Sequence, residues 1–295
     1  MRQHEEISKC IAFLGYKAPG GRIQFVGTVF FVGHADGDEW LFTYATAAAH
    51  YLDEIKKYGA NYASIRINLR GGKSLTIDTH LDSWYRHPTD HSADIAILPF
   101  EFPDDCDHLA FPLEMFATDE FVRDTKIGVG DEIFFPGLFI PYMQTELNVP
   151  IVRAGTIAAL PDERVSTRLG NVEAYLIECR SIGGLSGSPV FVWRGKSRFV
   201  QNDQRTTTDQ ERSFRLIGFI HGDFALGPLD KITDDPESRE RLNRGIAIVP
   251  TVEILLEILR QPAITRLETD RLGEERAKNG SAPTGPDFES SDTRR

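Results

Sequence analysis

Cysteine is scarce in this chain: Cys10, Cys106 and Cys179 are the only three. An odd number cannot all pair, and their spacing matches no metal-binding pattern. They read as reduced thiols, which points to a reducing compartment. Long hydrophobic runs are missing as well. No stretch approaches the roughly 20 apolar residues that span a bilayer, and the polar start Met1 to Glu6 lacks the apolar core of a secretory leader. The cytoplasm is therefore the expected location, with no membrane partner. Basic charge is in deficit, since 33 Lys and Arg face 44 Asp and Glu for a net −11. Such a chain repels polyphosphates, so nucleic acid is not expected as a partner.

What is present is material for a sheet protein. The chain is 41% hydrophobic with 25 glycines, enough for a core and many turns. Short apolar runs separated by turn residues predict strands over 10–16, 22–32, 40–44, 64–69, 74–79 and 94–99. The second half repeats the style over 132–135, 151–160, 174–178, 189–193, 214–221 and 245–249. Thr251 reads as the N-cap of a helix with Val252, Leu255, Leu256 and Leu259 on one face. Pro262 reads as its stop. Beyond it, Gly, Pro, Ser and charges replace the apolar pattern, so 262–295 is expected to be a disordered tail. Polar loops interrupt the second half over 194–213 and 223–244.

Three segments carry chemistry. Gly183-Gly184-Leu185-Ser186-Gly187-Ser188-Pro189 precedes an apolar strand. A nucleophilic serine needs a tight turn and small neighbours, so that two backbone N–H groups can converge on a carbonyl oxygen. The expected donors of this oxyanion hole are Gly184 and Ser186. His50 closes the run Thr46-Ala47-Ala48-Ala49-His50, where small residues let a helical turn pack on the sheet and aim the imidazole into a cleft. His4, His34, His80, His87, His91 and His108 read instead as surface or locally bonded residues. Asp94 enters the apolar strand Ile95-Ala96-Ile97-Leu98. A carboxylate there needs a partner, and orienting a histidine would supply one.

Together these segments resemble the chymotrypsin/trypsin-like serine proteases, which carry T-A-A-H, D-I-A-L-L-like and G-D-S-G-G-P motifs in that order. The spacings of 44 and 92 residues from His50 to Asp94 to Ser186 are close to those of the family. Gly27 to Val32, His87-Pro88, Leu216 to Ile220 and the helix from Thr251 also look like family elements. The resemblance implies an all-β fold of two six-stranded antiparallel β-barrels, with the active site between them and a C-terminal helix. The first barrel would span about 8–115, the second about 125–249 and the helix 251–260, within one protease domain over 1–261. It implies a serine endopeptidase with the triad His50, Asp94 and Ser186, no metal or cofactor, and a protein or peptide substrate. A regulatory protein partner is left open.

Departures narrow the likeness. Leu185 stands where animal digestive enzymes have the Asp that pairs with a freshly cut N-terminus, so activation of that kind is excluded. The motif style is similar to bacterial glutamyl endopeptidases and HtrA-like proteases, with no PDZ domain expected after the helix. Thr46 is followed by three alanines, where the family has two. The specificity pocket is expected to be walled by Arg180, Ser181 and Ile182 on one side, and by Ile220, His221 and Gly222 on the other. His221 is read two ways: binding an acidic substrate side chain, or pointing at Asp94. Two rivals to the endopeptidase are weighed. One is a catalytically silent protease-fold module that binds a peptide or partner; the other is an esterase, whose usual α/β-hydrolase fold orders its residues Ser, acid, His.

Overall fold

Alternation of apolar and polar residues builds two antiparallel sheets, each around its own core. The computed structural model describes residues 3–36, 39–142, 144, 146–167, 169–179, 185–193, 214–221 and 245–279. A short helix α1 (Gln3–Lys9) leads into β1 (Ile11–Lys17), β2 (Ile23–Asp36) and β3 (Glu39–Ala47). Helix α2 (Ala49–Lys57) follows, then β4 (Tyr62–Leu69), β5 (Lys73–His80), β6 (Tyr85–Arg86), β7 (Ala96–Pro99) and β8 (Phe111–Pro112). The first sheet has the order β5-β4-β1-β2-β3-β7-β6, with β8 beside β2. Its curl comes from β2, a 14-residue strand. The front of β2 pairs with β1 and its back with β3, and the register shifts at Leu14/Gly15 and at His34/Ala35. Such bulges bend a strand and raise its twist.

Helix α3 (Asp119–Thr125) links the halves. The second sheet holds β9 (Glu132–Gly137), β10 (Ile151–Ala159), β11 (Arg164–Thr167), β12 (Gly170–Glu178), β13 (Pro189–Trp193), β14 (Phe214–Phe219) and β15 (Ile246–Pro250). Its path β11-β12-β10-β9-β13-β14 is extended by β15 on β12. A bridge from Gly218 to Thr251 and a bond from the His221 N–H to the Ile248 carbonyl bring the end of β14 to β15. Six strands thus form a closed ring, with β11 as an added hairpin arm. The expected six strands per barrel hold for this ring. The first sheet counts eight through the two-residue pieces β6 and β8, and among the described residues no ladder closes it. One pairing, β2 with β8, is parallel.

Both cores are aliphatic and aromatic. Leu14, Val29, Phe31, Leu52, Ile55 and Ile65 fill the first; Phe135, Tyr175, Leu185, Val190 and Val249 fill the second. Phenylalanines join them. Phe30 of β2 lies 6.0 Å, centroid to centroid, from Phe191 and from Phe219, and Phe111 lies 5.1 Å from Phe191. Tilted and edge-on pairs of this kind each contribute about 0.5–1.5 kcal/mol beyond area burial. A polar latch crosses as well. Asn148, in the connection from β9 to β10, accepts from Arg66 Nε of β4 at 2.7 Å and donates its side-chain amide to the Arg66 carbonyl.

The chain divides into two compact units, Met1–Ile258 and Leu259–Arg295. Helix α4 (Val252–Leu259) closes the first, and helix α5 (Pro262–Asn279) forms the second. The expected disordered tail is corrected over 262–279. Pro262 does not end a helix but occupies the first position of the next, where its missing N–H leaves no bond unmade. The Gln261 carbonyl accepts from the N–H groups of Ile264 and Thr265. Residues 280–295 of the expected tail lie outside the described residues.

Candidate active site

Helix α2 begins without a cap of its own. Its N-cap residue is Ala48, which makes no side-chain hydrogen bond. The first N–H groups of a helix nevertheless need acceptors. Asp94 supplies them from the loop before β7: its carbonyl accepts from Ala49 at 3.3 Å and its Oδ1 from the His50 N–H at 2.8 Å. The other oxygen, Oδ2, lies 2.5 Å from His50 Nδ1. Backbone and side chain of His50 therefore grip the two oxygens of one carboxylate. The Asp94 side chain is 1% exposed and that of His50 27%. A buried carboxylate is costly unless donors surround it, and here the start of α2 provides them.

Burial of the imidazole works against its charged form. The Asp94 hydrogen bond and charge, with help from Glu54 and Asp53, outweigh it and hold His50 above its ordinary value. Arg86 fixes this end of α2 by pairing with both carboxylate oxygens of Asp53, at 3.1 and 2.8 Å, and by reaching the Ala49 carbonyl. The loop carrying Asp94 is tied to the second barrel and to α4. Ser92 Oγ donates to the Asn171 carbonyl at 3.2 Å, and His87 Nε2 meets Glu257 Oε2 at 2.7 Å. His87 Nδ1 accepts from the Asp90 N–H at 2.8 Å. The sequence reading took His87 as a locally bonded residue and gave no sign of Glu257.

Ser186 sits in a tight turn closed by the Ser188 N–H on the Leu185 carbonyl at 2.9 Å. Gly187 has φ +83°, which L side chains rarely adopt. A Cβ there would stand 2.9 Å from both the Ala48 nitrogen and the Thr28 carbonyl oxygen. The serine turn is thus pressed against the backbone two residues before His50. Of the three alanines, Ala47 ends β3, Ala48 receives this turn and Ala49 opens α2. Ser186 is half-buried, and among the described residues no hydrogen bond joins its Oγ to His50. Leu185 is wholly buried in the second core.

The remaining expected site residues divide. Arg180, Ser181, Ile182, Gly184 and Gly222 lie outside the described residues, as do the loops 194–213 and 223–244. Of the oxyanion pair, only Ser186 is described. Ile220 is buried and bonded to the serine turn: its N–H donates to the Ser188 carbonyl at 2.8 Å, and its carbonyl accepts from Gly187 at 2.9 Å. His221 is buried behind Asp94, with Nε2 4.0 Å from Oδ2. The three cysteines are free and buried. Burial pushes all three thiols up, Cys106 and Cys179 to about 11, so none is poised as a nucleophile.

No family model and no curated protein sequence matches the chain. Among solved structures it is similar to the MamO protease domain from Magnetospirillum magneticum in its apo form. The two are 13% identical with a TM-score of 0.52, and the match covers 88% of this chain and 100% of that one. Identity that low carries the fold alone. The chain has a mostly β, two-sheet architecture consistent with the chymotrypsin-like double-barrel fold.

Proposed function

We propose that this protein is a serine endopeptidase that works through an acyl-enzyme. The observation that supports the reading is the His50–Asp94 pair, buried on its acid side, with the Ser186 turn packed through Gly187 on Ala48, two residues before His50. Ser186 Oγ attacks the peptide carbonyl while His50 Nε2 takes its proton, then returns it to the leaving amine. Asp94 holds the Nδ1–H tautomer and stabilises the imidazolium, and water attacks the ester in the reverse sense. The N–H groups of Ser186 and Gly184 would receive the carbonyl oxygen as it becomes charged. These steps need no metal or cofactor. The three free thiols suit a reducing compartment, and a cytoplasmic setting is part of the proposal.

A second reading, a silent protease-fold module that binds a peptide, is favoured by one observation: the Ser186–His50 bond is not made among the described residues. Such bonds tighten when substrate docks. A fluorophosphonate separates the two. In the endopeptidase Ser186 Oγ bonds to phosphorus, fluoride leaves, and the proton passes to His50. Wild-type protein should label and Ser186→Ala should not, with unchanged circular dichroism. Failure of the wild type to label between pH 6 and 9 would establish the silent module.

A further inference from the structure

Strand β2 is buried on both faces. Val29 and Phe31 belong to the first core, and Phe30 meets Phe191 and Phe219 of the second barrel. Residues two apart share a face of a strand, so Thr28 stands on the side of Phe30, turned to the second barrel, and is fully buried. A hydroxyl at such a place is costly unless it is bonded, and valine would have the same shape without the cost. The bonds come from two pieces of the second barrel. The Leu138 N–H, just past β9, donates to Thr28 Oγ1 at 2.9 Å, and Ser188 Oγ donates to the same oxygen at 3.3 Å. Ser188 is two residues past the nucleophile and fully buried as well. The end of β9 seals the joint, since a Cβ on Gly137 would collide with Ser188 Oγ and stand 3.1 Å from Thr28 Oγ1. The Thr28 carbonyl is one of the two groups pressed on Gly187. Thr28 thus meets the serine turn through its backbone and its side chain. The residue before it serves the histidine. A Cβ on Gly27 would collide with the Tyr51 ring, and that ring packs beside the His50 imidazole with centroids 4.2 Å apart.

We propose that Thr28 is a positioning residue for the nucleophile: its hydroxyl joins Ser188 to the end of β9 and seats the Ser186 turn on β2, the strand on which Tyr51, the neighbour of His50, is packed. This rests on the proposed acyl-enzyme chemistry. The charge of His50 is set by its burial and by Asp94, Glu54 and Asp53, the last paired to Arg86. The bonds of Thr28 run instead to the turn of the nucleophile. The device therefore acts on where Ser186 stands and leaves the proton of the base alone.

Two variants isolate the hydroxyl. Thr28→Val keeps the shape and removes the oxygen; Thr28→Ser keeps the oxygen. Fluorophosphonate labelling of the full-length protein, followed against pH, gives a plateau rate and a midpoint. In Thr28→Val the plateau should fall about tenfold, short of the roughly 10²-fold that a 1 Å misplacement can cost, while the midpoint stays at its wild-type value. Thr28→Ser should recover most of the plateau. A wild-type plateau in Thr28→Val overturns the proposal, and so does a Ser variant no faster than Val. A midpoint that moves with the plateau would mean that the change disturbs His50 itself, and overturns it as well. Should Thr28→Val not fold, Ser188→Ala removes the donor of the same bond and is read by the same plateau and midpoint. If wild-type protein resists the fluorophosphonate, the endopeptidase reading fails, and urea denaturation decides the joint. The midpoint shift of the double variant Thr28→Val, Ser188→Ala should then be smaller than the sum of the single shifts, and shifts that simply add overturn it.

Discussion

Gly187 shows how much one residue settles. Its φ of +83° would cost an L side chain about 1–2 kcal/mol, and the 2.9 Å approach of a Cβ to two backbone atoms adds overpacking of similar size. Gly187→Ala should therefore lose about 2–4 kcal/mol in urea denaturation. It should also slow fluorophosphonate labelling of the folded fraction at least tenfold, because the atom it pushes, the Ala48 nitrogen, stands at the threshold of α2 and His50. Full labelling with full stability would show that the turn has room to spare. The sequence calls for glycine here so that substrate can approach. The contact that forbids a side chain comes from Thr28 and Ala48, more than 130 positions upstream, and no local pattern carries it. His221 is the same case at a different angle: the sequence leaves its face open, and its place 4.0 Å from Asp94 Oδ2 is carried by no local pattern.

Elements were legible where apolar runs were long. Strands such as Pro189–Trp193 follow the expected bounds. Polar or very short pieces were not: β11 is Arg-Val-Ser-Thr, whose only claim to be a strand is its ladder with β12. Helix α5 was hidden for another reason. A proline after an amphipathic stretch stops one helix and starts another equally well, and the composition that suggested disorder is also rich in helix formers such as Leu267, Arg271 and Leu272. Helix α1 illustrates docking by a neutral histidine. His108 Nδ1 bonds to the Lys9 carbonyl and its Nε2 accepts from the Asn68 N–H, both at 2.7 Å. Burial pulls His108 down from about 6.5 to about 4. Between those values the native imidazole stays neutral while the unfolded chain binds a proton, so stability is lost as pH falls through this window and is fully present above it. The loss should reach roughly 3 kcal/mol near pH 4. Urea titrations at pH 7 and pH 4.5 should show it in the wild type and a smaller slope in His108→Gln; equal slopes would remove His108 from the account.

At the scale of the molecule, the barrels are joined by aromatic packing and by the Asn148 latch, and the latch can be cut alone. Asn148 is 4% exposed, accepts from Arg66 Nε and donates to the Arg66 carbonyl. Asn148→Ala would leave those buried groups short of a partner and should cost about 2–4 kcal/mol in urea denaturation. A cost near zero would show that Arg66 finds replacements. The two-barrel plan was implied by the family resemblance that the three motifs carry, whereas the cross-barrel ties were not legible, since each joins residues far apart in the chain. The bond between His87 and Glu257 spans 170 residues. That span is also an interval of time. A ribosome adding about 5–20 residues each second needs roughly 10–30 s to cover it. His50 and Asp94 leave the ribosome well before the residue that clips their loop to α4. On the proposed function, a chain still being made would lack this tie on its acid until Glu257 has emerged, and the cutting site would come of age only after both sheets have been synthesised.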